Sequence, residues 1–217
     1  MMSSSAPIVP ATPQVSGVKP IEWPPKGMRP VQLSEPQLVA EGERMRGYLA
    51  EAVPEVDTGA YNVTTTQPHG LGPGFGAEPP ATVVVRADFK NVLASSGKSV
   101  ELPMRLTVVV QGPGTVAVQP AQACGDGDDP AEAVLSCSPR TLDDGTIVVE
   151  SVTGLASRGG DGPKTHIVRH FRACGTVVSA TASHAAGQEA SGLGAYRQVH
   201  IDRLDRIATD PELALKS

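Results

Sequence analysis

No stretch of the chain stays apolar for the roughly 20 residues that a membrane-crossing helix needs, so no part of it is expected to span a bilayer. Positive charge is also short: 18 Lys and Arg stand against 23 Asp and Glu, a formal net charge of −5. No nucleic-acid partner is expected, because neutralising phosphates needs clustered Lys and Arg. Residues 1–15 lack the basic start, the apolar stretch of about 7–15 residues and the small-residue cleavage site of a secretory leader. Taken literally, that absence makes the chain cytoplasmic.

Motifs that carry chemistry are missing too. The run Gly154-Leu155-Ala156-Ser157-Arg158-Gly159 has the wrong spacing for a G-x-S-x-G nucleophile elbow, and neither H-E-x-x-H nor S-x-x-K occurs. Ser157 with one of the five histidines and an aspartate is all that an unrecognised hydrolase could use. Gly70, Gly72, Gly74 and Gly76 alternate, but Pro73 lies among them and Pro79-Pro80 follows where a phosphate loop must open a helix. Asp126, Asp128 and Asp129 lack the closing Glu and flanking helices of a calcium hand. His166, His170 and Cys174 would line a helix face, yet residues 164–172 read as a strand. There the two histidines share one face about 13 Å apart, at roughly 3.3 Å per residue, too far to share one metal ion. No catalytic residue, metal or cofactor is expected.

What is present is enough for one core: 40 % of the 217 residues are apolar. The expected organisation is a Pro- and Ser-rich disordered linker or tether over 1–32 and a single domain over 33–217. Pro7, Pro10, Pro13, Pro20, Pro24, Pro25 and Pro30 forbid helix or central strand in the first stretch. Trp23, flanked by Pro24 and Pro25, is its one adhesive residue. It is expected to fold back onto the domain, with docking to another protein as the alternative.

A helix is expected over 34–52. Ser34 caps it, Gln37 completes a capping box, Leu38, Met45, Leu49 and Val53 recur at helical spacing, and Pro54 stops it. β-Branched runs predict strands at 81–89, 104–111, 114–119, 146–153, 164–172 and 175–183. The turns Asp143-Asp144-Gly145, Gly112-Pro113-Gly114 and Cys174-Gly175 are too short for parallel crossovers. Residues 67–80 and 120–139 read as loops, and a short helix capped by Asp202 closes the chain before Asp210-Pro211. The fold class is α+β: a single antiparallel sheet of five to seven strands packed against the N-terminal helix, with a short C-terminal helix. The expected core is Leu38, Met45, Leu49, Val84, Leu106, Val108, Ile147, Val149, Val168, Val178, Leu204 and Ile207.

Three cysteines remain. Cys124 and Cys137 flank a Gly- and Asp-rich stretch. As a disulfide they would close a loop of about 14 residues and contribute roughly 3 kcal/mol; in a reducing cytosol they would be two thiols. Cys174, at a hairpin turn, is left as a free thiol.

Several segments carry a resemblance. Besides Cys124 and Cys137, they are Thr141-Leu142-Asp143-Asp144-Gly145-Thr146, Cys174-Gly175-Thr176-Val177-Val178-Ser179-Ala180 and the closing Leu204-Asp205-Arg206-Ile207-Ala208-Thr209-Asp210-Pro211-Glu212-Leu213. From Cys124 onward the chain resembles a group of actinobacterial secreted or membrane-anchored cell-envelope proteins of unknown function. The matching patterns are L-x-D-G-T, P-D-G-T-V-V-S and L-x-x-I-A-T-D-P-x-L. The resemblance implies that Cys124 and Cys137 are bonded, that the sheet is antiparallel with peripheral helices, and that the protein is extracytoplasmic. It departs from the group in Cys174, which replaces a turn Asp, and in lacking an N-terminal anchor. A truncated start, with 1–32 as the tether that follows an anchor, is the corresponding expectation. The function expected is a non-catalytic extracytoplasmic binding or sensor domain, monomeric, with an unknown envelope ligand or protein as partner. A cytoplasmic accessory or interaction protein is the alternative.

Overall fold

In the computed structural model of the chain, residues 18–66, 69–71, 82–95, 98–114, 119–124, 132–155, 164–184 and 201–215 are described. The capping signal acts where it was read. Gln37 Oε1 accepts the Ser34 backbone N–H at 2.9 Å and its hydroxyl at 2.7 Å, and helix α1 runs Glu35–Val56. Its buried stripe is Leu38, Gly42, Met45, Leu49, Ala52, Val53 and Val56, with Glu41. Pro54 does not stop it. Pro54 lacks the N–H that would reach the Ala50 carbonyl and crowds that carbonyl with its ring. The last turn persists because Val53 and Val56 are buried and the Asp57 N–H closes on the Val53 carbonyl at 2.9 Å.

The strands are β1 (Tyr61–Thr65), β2 (His69–Leu71), β3 (Thr82–Ser95), β4 (Lys98–Gln111), β5 (Glu132–Thr141), β6 (Ile147–Leu155), β7 (Lys164–Phe171) and β8 (Val177–His184). They form one sheet in the order β1-β3-β4-β8-β7-β6-β5, with β2 beside β3 off that path. Every pairing is antiparallel, and the short β5–β6 and β7–β8 turns require it there. The chain closes with helix α2 (Ile201–Thr209) and a 3-10 turn at Pro211–Leu213. The fold is thus α+β, a single antiparallel sheet with an N-terminal helix and a short C-terminal one.

Three readings need correction. Residues 132–139, taken as loop, belong to β5, which pairs with β6 from Glu132↔Leu155 to Thr141↔Ile147. No strand lies beyond β5 among the described residues, so Pro139 costs little; Ser136 and Ser138 share one face of the strand and are exposed. Its β-branched content is correspondingly low. Asp202 is the second residue of α2 rather than its cap. Within 67–80, read as loop, His69–Leu71 form β2; the rest of that stretch lies outside the described residues, as do 115–118 of the strand expected at 114–119, and Asp126, Asp128, Asp129 and Ser157.

The sheet buries both faces unequally. On the first, Val83, Val85, Ala87 and Phe89 of β3 alternate with exposed or half-buried neighbours, as do Leu102, Met104, Leu106, Val108 and Val110 of β4. α1 packs over β3 and α2 over β7 and β8, which makes the larger core. The second face carries a smaller cluster of Trp23, Ala123, Val149, Phe171 and Val177. This explains why Val148 and Val149, or Val177 and Val178, are buried side by side: the central strands are covered on both faces. Val84 and Ile147 are only half-buried. Val84 points away from the helices, and Ile147 lies at the rim of the smaller cluster.

Residues 18–32 contain neither helix nor strand. They run as a strap across the end of the sheet where the hairpin turns lie. The Ile21 N–H donates to the Gly145 carbonyl at 2.8 Å. Gly145 and Gly175, at φ +82° and +88°, occupy the left-handed region that their turns demand. They also leave room for the strap: a Cβ on Gly145 would lie 3.2 Å from the Lys19 carbonyl, and one on Gly175 would lie 3.0 Å from Met28 Cγ. Pro30 reaches Gly114, at the end of β4, in the same way. The strap therefore spans the sheet end from the β5–β6 turn to β4.

Candidate binding groove on the cysteine-paired face

The smaller cluster sets up the site. Trp23 is 7 % exposed and meets Phe171 edge to face, ring centroids 5.1 Å apart and planes at 83°. Burying an indole removes about 150–250 Å² from water, so this one residue supplies about 4–6 kcal/mol towards holding the strap at about 25 cal/mol/Å². Beside it, Cys124 and Cys137 come to disulfide-bonding distance, Cα atoms 5.7 Å apart. The pairing ties the turn 119–124 to β5. A second tie comes from β7, where the Arg169 guanidinium donates to the Ala123 carbonyl.

Between strap and turn lies an open, mainly apolar groove of about 310 Å³. Its walls are Pro20, Ile21 and Trp23 of the strap, residues 119–121 of the turn, and residues 139–141 with Ile147. The one charged residue among these is Arg140, and it is engaged: its Nε donates to Glu150 at 3.0 Å and its Nη2 pairs with Asp205 of α2. No titratable group is left facing a ligand from these walls. Sequence reasoning singled out Trp23 but not the groove, whose walls come from four separated segments.

The remaining expected site residues lie elsewhere. Cys174 is free and exposed in the β7–β8 turn, its thiol 3.3 Å from the Thr176 hydroxyl. His166 and His170 share the helix-bearing face of β7, as the strand reading required, and among the described residues no group of three or more His, Cys, Asp or Glu side chains gathers around a common point.

One arrangement imitates a catalytic triad. His170 Nε2 lies 2.9 Å from the Thr146 hydroxyl, and the Asp144 carboxylate takes the Thr146 hydroxyl at 2.6 Å and its N–H at 2.9 Å. The order is wrong, because the carboxylate bonds the hydroxyl and not the imidazole. The hydroxyl is also closed off: Thr146 is 4 % exposed and His170 5 %. These bonds build the turn and hold the Asp144 carboxyl below the usual range, the Thr146 hydroxyl first and its N–H second.

Burial, with the Arg172 charge as second cause, pushes His170 down from 6.5 to about 4. Between those values the unfolded chain binds a proton that the folded chain refuses. Stability therefore falls as pH is lowered from 6.5 to 4, at up to about 1.4 kcal/mol per pH unit from this site. His184, held down by burial, adds to the slope with the same sign. Urea titrations at pH 7, 5.5 and 4.5 should show this loss, and His170→Asn should remove most of it.

Guanidinium groups fasten the chain's end. Carbonyls at helix C-termini have no partner within the helix. Arg203 donates to the Val56 carbonyl of α1 at 2.7 Å, and Arg172 to the Ala208 carbonyl of α2 at 3.2 Å and to that of Asp210, just past the helix, at 2.6 Å. Arg44 donates to the Ala214 carbonyl at 2.8 Å and to that of Glu212. Tyr48 donates to Asp210 at 2.8 Å; burial first and this bond second push its phenol pKa upward.

Compared with protein-family models, with curated proteins and with solved structures, the chain matches none. No helix among the described residues is long and apolar enough to cross a membrane.

Proposed function

We propose that the protein is a non-catalytic binding or sensor module of the cell envelope, working outside the reducing interior, with an uncharged apolar ligand held in the strap groove. The observation that carries this is the Cys124–Cys137 pair at bonding distance, packed against the Trp23 cluster beside the groove. Such pairs persist in oxidising compartments and are rare in the cytosol. The resemblance from Cys124 onward to envelope proteins adds support, as does the neutral groove lining. Buried Arg172 is taken up in fastening the C-terminal segment, and buried Thr146 and His170 in building a turn.

Exposed Cys174 makes a built-in reporter of location. A membrane-impermeant maleimide applied to intact cells making the full protein should label Cys174, and Cys174→Ser should abolish that labelling. Labelling only after lysis would instead identify a cytoplasmic accessory protein.

A further inference from the structure

We propose that the Cys124–Cys137 bond acts as a local redox gate: it assembles the groove and seats the strap, while the rest of the sheet stands without it. The two cores divide the molecule accordingly. The larger one, between sheet and helices, contains no cysteine and nothing of the strap before Val31. The smaller one is where Trp23, the turn residue Ala123 and both cysteines meet. The turn that forms one groove wall is tied down by the cysteine bond and by Arg169, whereas β5, which forms the opposite wall, is anchored along its length to β6. Among the described residues, breaking the bond leaves the turn held by the Arg169 guanidinium and the packing of Ala123, and it removes the covalent closure between Cys124 and Cys137. Ala123 is then less firmly held in the cluster it shares with Trp23, and the strap's seat loosens.

The step balances with a dithiol as reductant. The S–S bond of Cys124 and Cys137 breaks, two electrons and two protons pass to the sulfurs, two thiols form, and the dithiol closes to its own disulfide. Resting on the reading that the groove is the ligand site, this confines binding to the oxidised protein and keeps newly made chains in a reducing compartment from engaging the ligand.

Trp23 is the only tryptophan in the chain, so its emission reports the strap alone. In the full-length protein, dithiothreitol should shift that emission to the red and raise acrylamide quenching several-fold. The far-UV signal of the sheet should be retained, and reoxidation should reverse both changes. Cys124→Ser/Cys137→Ser should resemble the reduced protein without added reductant. Emission and quenching unchanged on reduction would overturn the gate. So would loss of the sheet signal in the same transition, which would make the bond a global staple. Both readouts use purified protein and do not depend on where it works, so failure of the envelope reading, seen in the maleimide experiment, is separate from failure of the gate.

Discussion

Phe171→Ala lowers the unfolding free energy by about 3–5 kcal/mol, the range for deleting a large aromatic from a packed core. Phe171 is 1 % exposed and stands where β7 passes beneath the strap. Its ring supports Trp23 from the sheet side at 5.1 Å. The turn residue Ala123 and the cysteine pair flank the same spot, so the structure around the cavity has little freedom to collapse. The strap should loosen with the ring. A double-mutant cycle with Trp23→Ala should return a coupling of about 0.5–1.5 kcal/mol from the edge-to-face pair. Urea unfolding with an unchanged slope would show that stability alone has moved. A loss below about 1 kcal/mol would mean that the smaller cluster is not a true core.

Arg172→Met is expected to cost about 2–4 kcal/mol. A bond from a charged donor contributes roughly 1.5–3 kcal/mol, and part is returned because the methionine needs no desolvation of a charge. Arg172 is 9 % exposed and joins two carbonyls at the end of α2. Burial pulls its pKa below the usual value, opposed by the charges of nearby groups that include Asp210, and the carbonyls it satisfies help to offset the cost of burying the charge. The variant has a second effect. Arg172 is one reason that His170 titrates low. Removing it should raise the His170 value towards 6.5 and flatten the acid slope of stability. NMR titration of the His170 ring checks this, and an unmoved His170 would refute the electrostatic link while leaving the stability loss to be measured separately.

Sequence legibility followed the range over which each feature is determined. Helix α1 was readable because Ser34, Gln37 and the Leu38–Met45–Leu49 stripe are local signals. Its continuation past Pro54 to Val56 was not, since burial of Val53 and Val56 under tertiary packing outweighs the proline's cost. Strands β6, β7 and β8 announced themselves through β-branched residues because both their faces are covered. Strand β5 did not, because an edge strand carrying Ser136, Ser138 and Pro139 has no apolar run to show. The prolines of residues 18–32 told what the strap could not be. Where it lies depends on Gly145, Gly175 and Gly114, more than 80 residues away in sequence, which accept its close approach. The groove was invisible for the same reason: its walls become neighbours only once the hairpins have formed. The Asp144–Thr146–His170 contacts likewise join residues 24 positions apart through the pairing of β6 with β7.

The proposal that this molecule works outside the reducing interior turns on one covalent state. Protein taken directly from its native cells, alkylated under denaturing conditions without reductant and weighed intact, reads it out. Modification of one thiol, that of Cys174, with the two-hydrogen deficit of a bonded Cys124–Cys137 pair, is the predicted result. Three modified thiols and no deficit would contradict it.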